Sequence, residues 1–204
     1  MTKLYKSISC LDTRITGLLI RHVRKCFMGL DTRSLADKIS GADITDKADP
    51  LFSTRTLERL EKGEHLPSKQ VAWKVIVGTN ITADHFFGRF IHFSMLQAVY
   101  GVPVAYHPTR MDGPDSIITG RVLRFYMQEY EVDVQQLSEI LEEPLNTVRK
   151  WVSGARTPNF EALWVLADMF GTSLDVLLGL AFPPKLAEEM LTEGYFANDG
   201  PSAV

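Results

Sequence analysis

Cysteine is scarce in this chain: two residues in 204, Cys10 and Cys26, with no CxxC pair and no His beside either. That excludes a disulfide-stapled scaffold and a Cys-based zinc site, and predicts the reduced, unligated thiols of a cytoplasmic protein. The five histidines, His22, His65, His85, His92 and His107, are scattered without metal-ligand spacing, so neither a metal nor a cofactor is expected. No GxSxG, GxxxxGK[ST] or HExxH string occurs, which removes the usual sequence grounds for an enzyme. No run approaches the ~18 consecutive apolar residues of a membrane span. The opening MTKLYKSISCLDTR has no apolar core of the length a signal peptide needs.

Excess charge of one sign is also lacking overall, since the net is −3. The distribution is uneven, however. Residues 1–88 carry 14 Lys/Arg against 10 Asp/Glu, whereas residues 118–204 carry 6 against 13. A polyanion would find its cations in the first half, because phosphate neutralisation and counterion release supply much of such affinity.

What the chain does contain is a repeat. Ile15-Thr16-Gly17 recurs as Ile118-Thr119-Gly120, and Leu35-Ala36 as Leu137-Ser138. Gly63, Pro67, Trp73, Asp84 and Gly88 recur as Gly154, Pro158, Trp164, Asp175 and Gly179, all 91 residues later. The first copy holds one extra residue near Met28 and eleven more within 41–52, which bring Asp43, Asp46 and Asp49. Shared spacing of this kind is the mark of one structural unit used twice.

Each copy reads as about five short helices. Leu123, Tyr126 and Tyr130 share a face at helical spacing. Asp31 and Asp133 each precede a helix whose first amide hydrogens their carboxylates can accept. The next helix, RTLERLEKG or NTVRKWVSG, turns Leu57/Leu60 or Val148/Trp151 inward. It ends at Gly63 or Gly154, where a left-handed residue is cheapest as glycine. Trp73, Trp151 and Trp164 are expected in the core. Between the copies, 89–101 reads as an apolar helix, followed by a Pro-rich linker to 117. PPKLAEEMLTEGYF predicts an amphipathic helix with Leu186, Met190 and Leu191 on one side, before a disordered tail.

Both copies, roughly 15–88 and 118–179, resemble the Cro/CI-type (XRE) helix-turn-helix family of phage repressors and bacterial regulators. STRTLERLEKG carries the family's apolar, two-spacer, apolar-Glu-x-Gly ending, and Ala36 and Ser138 stand where a small residue packs against the turn. PLNTVRKWVSG diverges, with Pro144 for the capping hydroxyl, Glu142-Glu143 in the turn and Val152 for the usual Glu.

The resemblance implies an all-α chain of two lambda-repressor-like five-helix domains. These are expected at 15–88, with an insertion at 41–52, and at 118–179. A 1–14 arm precedes them, an 89–117 helix and linker joins them, and a C-terminal helix and tail occupy 180–204. It implies a sequence-specific transcriptional regulator of double-stranded DNA, acting as a repressor, with the third helix of one or both domains in the major groove. Bases would meet Thr54, Arg55 and Arg59 in the first copy, and Leu145, Asn146, Arg149 and Lys150 in the second. Phosphates would meet Thr32, Lys62, His65, Ser153 and Arg156. Two readers of different sequence predict two different half-sites, roughly 34–36 Å apart. Homodimer formation through 89–101 or the C-terminal helix is an added expectation. The competing reading is a protein-interaction module, anti-repressor or antitoxin-like, in which one or both units no longer bind DNA. The acidic second half favours that reading for the second copy.

Overall fold

A computed structural model of the chain describes residues 12–39, 53–89, 104–105 and 113–193. The 41–52 insertion, the 90–101 part of the expected connecting helix, most of the linker and the tail lie outside the described residues. Among the described residues the structure is all-α apart from one two-residue antiparallel ladder, Val104–Ala105 (β1) against Ala181–Phe182 (β2), which nothing in the sequence pattern announces. Among the described residues no helix is long and apolar enough to cross a membrane. These residues fall into two compact units, an N-terminal one within 12–89 and a C-terminal one holding 104–105 and 114–193.

The N-terminal unit contains α1 (Thr13–His22), α2 (Thr32–Ile39), α3 (Thr54–Glu61), α4 (Lys69–Thr79) and α5 (Ala83–Phe87). Side-chain caps define the starts. Asp12 accepts from the Arg14 amide at 2.8 Å, and Asp31 accepts from Ser34 at 2.7 Å. Ser53 and Ser68 accept from Thr56 and Val71 at 3.2 and 3.3 Å. The first helix thus begins two residues before the expected domain edge. Past His22 it continues as a π-helical turn, Val23–Phe27. A π turn is how a helix absorbs one surplus residue without breaking. The extra residue that the repeat requires near Met28 is taken up there.

The C-terminal unit contains α6 (Ser116–Glu129), α7 (Val134–Ile140), α8 (Leu145–Val152), α9 (Phe160–Met169), α10 (Leu174–Leu177) and α11 (Pro184–Thr192). Its core gathers Leu123, Tyr126, Leu137, Val148, Trp151, Leu163, Leu166, Phe170 and Leu177, all buried. Two expectations are corrected. Trp164 is only half-buried, because it flanks the face that α9 turns inward. Leu191 is 63% exposed, because Leu186, Ala187 and Met190 already fill the face of α11 that packs.

Tyr126 stacks on Phe170, ring centroids 5.4 Å apart, and its hydroxyl lies 2.7 Å from that of Thr172. Burial pushes its phenol up to about 12. The fold therefore holds the protonated form more firmly than the unfolded chain, whose tyrosines titrate near 10. The resulting stability is complete below about pH 10 and lost as pH rises through about 12. Thermal melts should show wild type losing roughly 2–3 kcal/mol across that window relative to Tyr126→Phe. Below it, the variant should be the weaker by about 1 kcal/mol for the missing hydrogen bond. Parallel pH profiles of the two proteins would disprove the buried phenol.

Candidate nucleic-acid interface

In each unit a short helix is clamped on one side and open on the other. In the N-terminal unit α3 packs on α1 and α2, with Leu57 and Leu60 fully enclosed. In the C-terminal unit α8 packs on α6 and α7 through Val148 and Trp151. The first helix of each unit approaches so closely that only glycine fits. A Cβ on Gly17 would lie 2.4 Å from the Leu60 carbonyl oxygen, and one on Gly120 would lie 2.7 Å from the Gly154 nitrogen. Each clamped helix then stops on a left-handed glycine, Gly63 at φ +68° and Gly154 at φ +79°.

The polar stripe opposite those apolar residues faces outward. On α3, Arg55 and Arg59 are exposed and Thr54 is half-buried. The Arg59 Nε donates to Glu64 Oε2 at 2.8 Å, and this contact holds the Glu64 carboxyl below its usual range. Lys62 is exposed just past the helix end. His65 is half-buried, and its Nδ1 is enclosed without a hydrogen-bond partner. Thr32 is half-buried at the start of α2. There the Asp31 carboxylate already occupies the first turn, and its hydrogen bonds from Ser34 keep it below the ordinary range. An anion thus sits where a phosphate would approach that helix end.

On α8, Asn146, Arg149 and Lys150 are exposed and Leu145 is half-buried. Ser153 and Arg156 are exposed beyond its end, with the Arg156 amide donating to the Lys150 carbonyl at 3.1 Å. Pro144 stands at the N-cap with no side-chain cap. The turn before it is secured differently. Ser138 donates its hydroxyl to the Glu143 carbonyl at 2.7 Å, and Glu142 takes the left-handed conformation at φ +48° that a glycine would adopt more cheaply. The small residue at 138 is therefore a hydrogen-bonding residue as well as a spacer.

With α7, its turn and α8 laid out in this way, one comparison bears on the C-terminal unit. Residues 123–177 match the helix-turn-helix family model. The match runs from the second half of α6 to the end of α10 and indicates a DNA-binding helix-turn-helix regulator, a class not typically enzymatic. It does not reach residues 15–88. No curated protein and no solved structure matches the chain.

Two features, one in each unit, escape sequence reasoning. In the N-terminal unit Arg24 is 5% exposed, and its guanidinium meets both carboxylate oxygens of Glu61, with Nη2 to Oε2 at 2.7 Å. Its remaining edge donates to the Leu30 carbonyl at 2.9 Å. The pair braces the end of α3 against α1. In the C-terminal unit Met127 and Val152 take the corresponding positions, and Arg124 instead donates to the Val152 carbonyl. The signal available was the stripe Gly17, Ile20, Arg24, which puts the arginine on the packed face of α1.

Proposed function

We propose that the chain is a sequence-specific double-stranded DNA-binding transcriptional repressor with two helix-turn-helix units, each presenting its third helix to the major groove. The observation that carries this reading is the outward polar stripe on a rigidly seated helix: Arg55 and Arg59 on α3, Asn146, Arg149 and Lys150 on α8. Arginine can pair two-pronged with guanine and asparagine with adenine, while Thr54 and Leu145 suit a thymine methyl. Lys62, His65, Ser153 and Arg156 flank the helix ends and would set register on phosphates. Thr32 is the weakest of the phosphate contacts because of the carboxylate beside it.

Support for two copies comes from contacts as well as spacing. Ile15 touches Gly88 as Ile118 touches Gly179, and Gly63 meets Arg14 as Gly154 meets Ile117. Thr16 and Thr119 are both buried with unpartnered hydroxyls. Selection of bound duplexes from a random pool, followed by gel shifts, tests the reading. Arg55→Ala with Arg59→Ala should cost roughly 1–3 kcal/mol of selectivity per lost base contact, about fivefold to 150-fold each. Asn146→Ala with Lys150→Ala should relax the other half-site. Wild-type selectivity in both double variants would remove these helices as readers.

The interaction-module reading has one observation in its favour. Exposed carboxylates at Glu131, Asp133, Glu139 and Glu142 surround α7 and the approach to α8, and would repel phosphates. A C-terminal unit that failed the selection while the N-terminal one passed would move to that class.

A further inference from the structure

Summed over each half of the chain, charge favours the N-terminal unit as the partner of a polyanion. Beside each outward-facing helix the balance is reversed. Residues 53–65, α3 and its exit, hold three Lys/Arg and three Asp/Glu. The aligned residues 144–156, α8 and its exit, hold three Lys/Arg and no Asp/Glu. A phosphate responds to charges within about a Debye length, ~8 Å at physiological ionic strength, so the local balance governs the contact.

The side chains carry this difference into space. In the N-terminal unit Arg59 pairs with Glu64 and Arg24 with Glu61, while Arg21 and Lys62 line a cavity together with Glu58 and Glu61. Cations and carboxylates alternate along that flank. In the C-terminal unit Arg149 stands where Glu58 does, and Val152 where Glu61 does. Arg124, the α6 counterpart of Arg21, donates to the Val152 backbone carbonyl. That bond ties its guanidinium to the end of α8, on the flank that Arg149 and Val152, three residues apart, share. Arg124, Arg149, Lys150 and Arg156 are all exposed, and among the described residues no carboxylate pairs with any of them. Glu131 and Asp133 line the groove that Arg124 borders, but they belong to the turn before α7. The Asp133 carboxylate is already engaged there, accepting from the Gln136 amide at 2.8 Å.

We propose that Arg124 is a further phosphate contact, and that with Arg149, Lys150 and Arg156 it gives the C-terminal unit the larger share of the salt-dependent affinity for duplex DNA. Each phosphate neutralised by a cation releases counterions, and that release is what makes affinity fall with salt. The N-terminal unit, with carboxylates set among its cations, releases fewer and contributes chiefly through the base contacts of Arg55 and Arg59. The inference rests on the DNA-binding reading above. It concerns each unit by itself and needs no particular placement of one against the other.

Fluorescence anisotropy of the full chain on a labelled duplex recovered by selection, read between roughly 50 and 200 mM salt, tests it. Wild type should show a linear fall of log affinity with log salt. Arg124→Gln should lower that slope by about 1 and weaken binding to the selected duplex and to a scrambled one by the same factor, since a phosphate contact reads no sequence. Arg124→Lys keeps the charge and should restore the slope. A guanidinium that only braced α8 would instead change selectivity and leave the slope alone. Arg124→Gln with Arg156→Gln should lower the slope by about 2, and Arg21→Gln with Lys62→Gln by about 1 at most. All four positions are exposed, and far-UV circular dichroism should show every variant folded. If Arg124→Gln loses helicity, Arg124→Met, which keeps the aliphatic stem, replaces it. An unchanged slope in the folded Arg124 variant overturns the phosphate contact. A drop in the N-terminal pair as large as in the C-terminal pair overturns the division between the units. Both outcomes leave DNA binding itself standing, whereas a wild type that binds no duplex removes that reading and this inference together.

Discussion

Replacing Glu61 by alanine should destabilise the N-terminal unit by about 3–5 kcal/mol, because it strands the Arg24 guanidinium in the protein interior without its counter-charge. Arg24 is 5% exposed and spends its hydrogen bonds on Glu61 and the Leu30 carbonyl. Taking two ions out of water is expensive, and their attraction repays it only while both remain. The same chain supplies the control. Arg24→Met with Glu61→Val installs the pair that stands at the corresponding place in the C-terminal unit, Met127 and Val152. That double variant should be neutral or more stable by up to about 4 kcal/mol. Hydrogen exchange of peptides from α1 and α3, read against urea, reports the unit concerned rather than the whole chain. If Glu61→Ala alone cost less than about 1 kcal/mol, in the range of exposed ion pairs, the enclosure of this pair would be wrong.

What the sequence made legible was governed by short-range rules. Asp31 and Asp133 begin helices because a carboxylate can accept a first-turn amide hydrogen, and both do so. Gly63 and Gly154 end helices because the left-handed region is open to them, and both occupy it. The apolar spacing put Leu57, Leu60, Val148 and Trp151 inside, and by subtraction left Arg55, Arg59, Asn146, Arg149 and Lys150 outside. Contacts between distant residues were not legible. Arg24 and Glu61 lie 37 positions apart, and each belongs to a class normally found in water. Likewise periodicity places Trp164 and Leu191 on a helix face. How far other elements cover that face is a tertiary fact, and it leaves the first half-buried and the second exposed. The electrostatic bias favours the N-terminal unit as DNA reader, yet the family match falls on the acidic unit. Fold membership follows the packed face of the helices, whereas charge follows the free one.

Gly154→Ala should cost the C-terminal unit roughly 2–5 kcal/mol, which for a domain only about 5–15 kcal/mol stable is close to unfolding. Two separate terms add. A left-handed conformation costs an L-residue about 1–2 kcal/mol, and Gly154 sits at φ +79°. The added methyl group would also lie 2.9 Å from the Ile117 Cα and 3.1 Å from the Ser116 carbonyl oxygen. Those are backbone atoms that cannot rotate away, and overpacking of this kind costs about 1–3 kcal/mol. Gly171→Ala separates the terms. Gly171 is also left-handed, at φ +57°, but its Cβ would meet nothing closer than the Tyr130 hydroxyl at 3.6 Å. That variant should lose only the backbone term, about 1–2 kcal/mol. In the N-terminal unit Gly63→Ala and Gly29→Ala form the same pair, crowded against open, since nothing lies within 4 Å of a Cβ on Gly29. Thermal melts of the four variants would measure the seat of each outward-facing helix independently of any DNA. Equal losses in the crowded and the open variants would mean that the first helix does not grip the third where the glycines meet, and the rigid presentation of Arg55, Arg59, Asn146 and Lys150 would lose its physical basis.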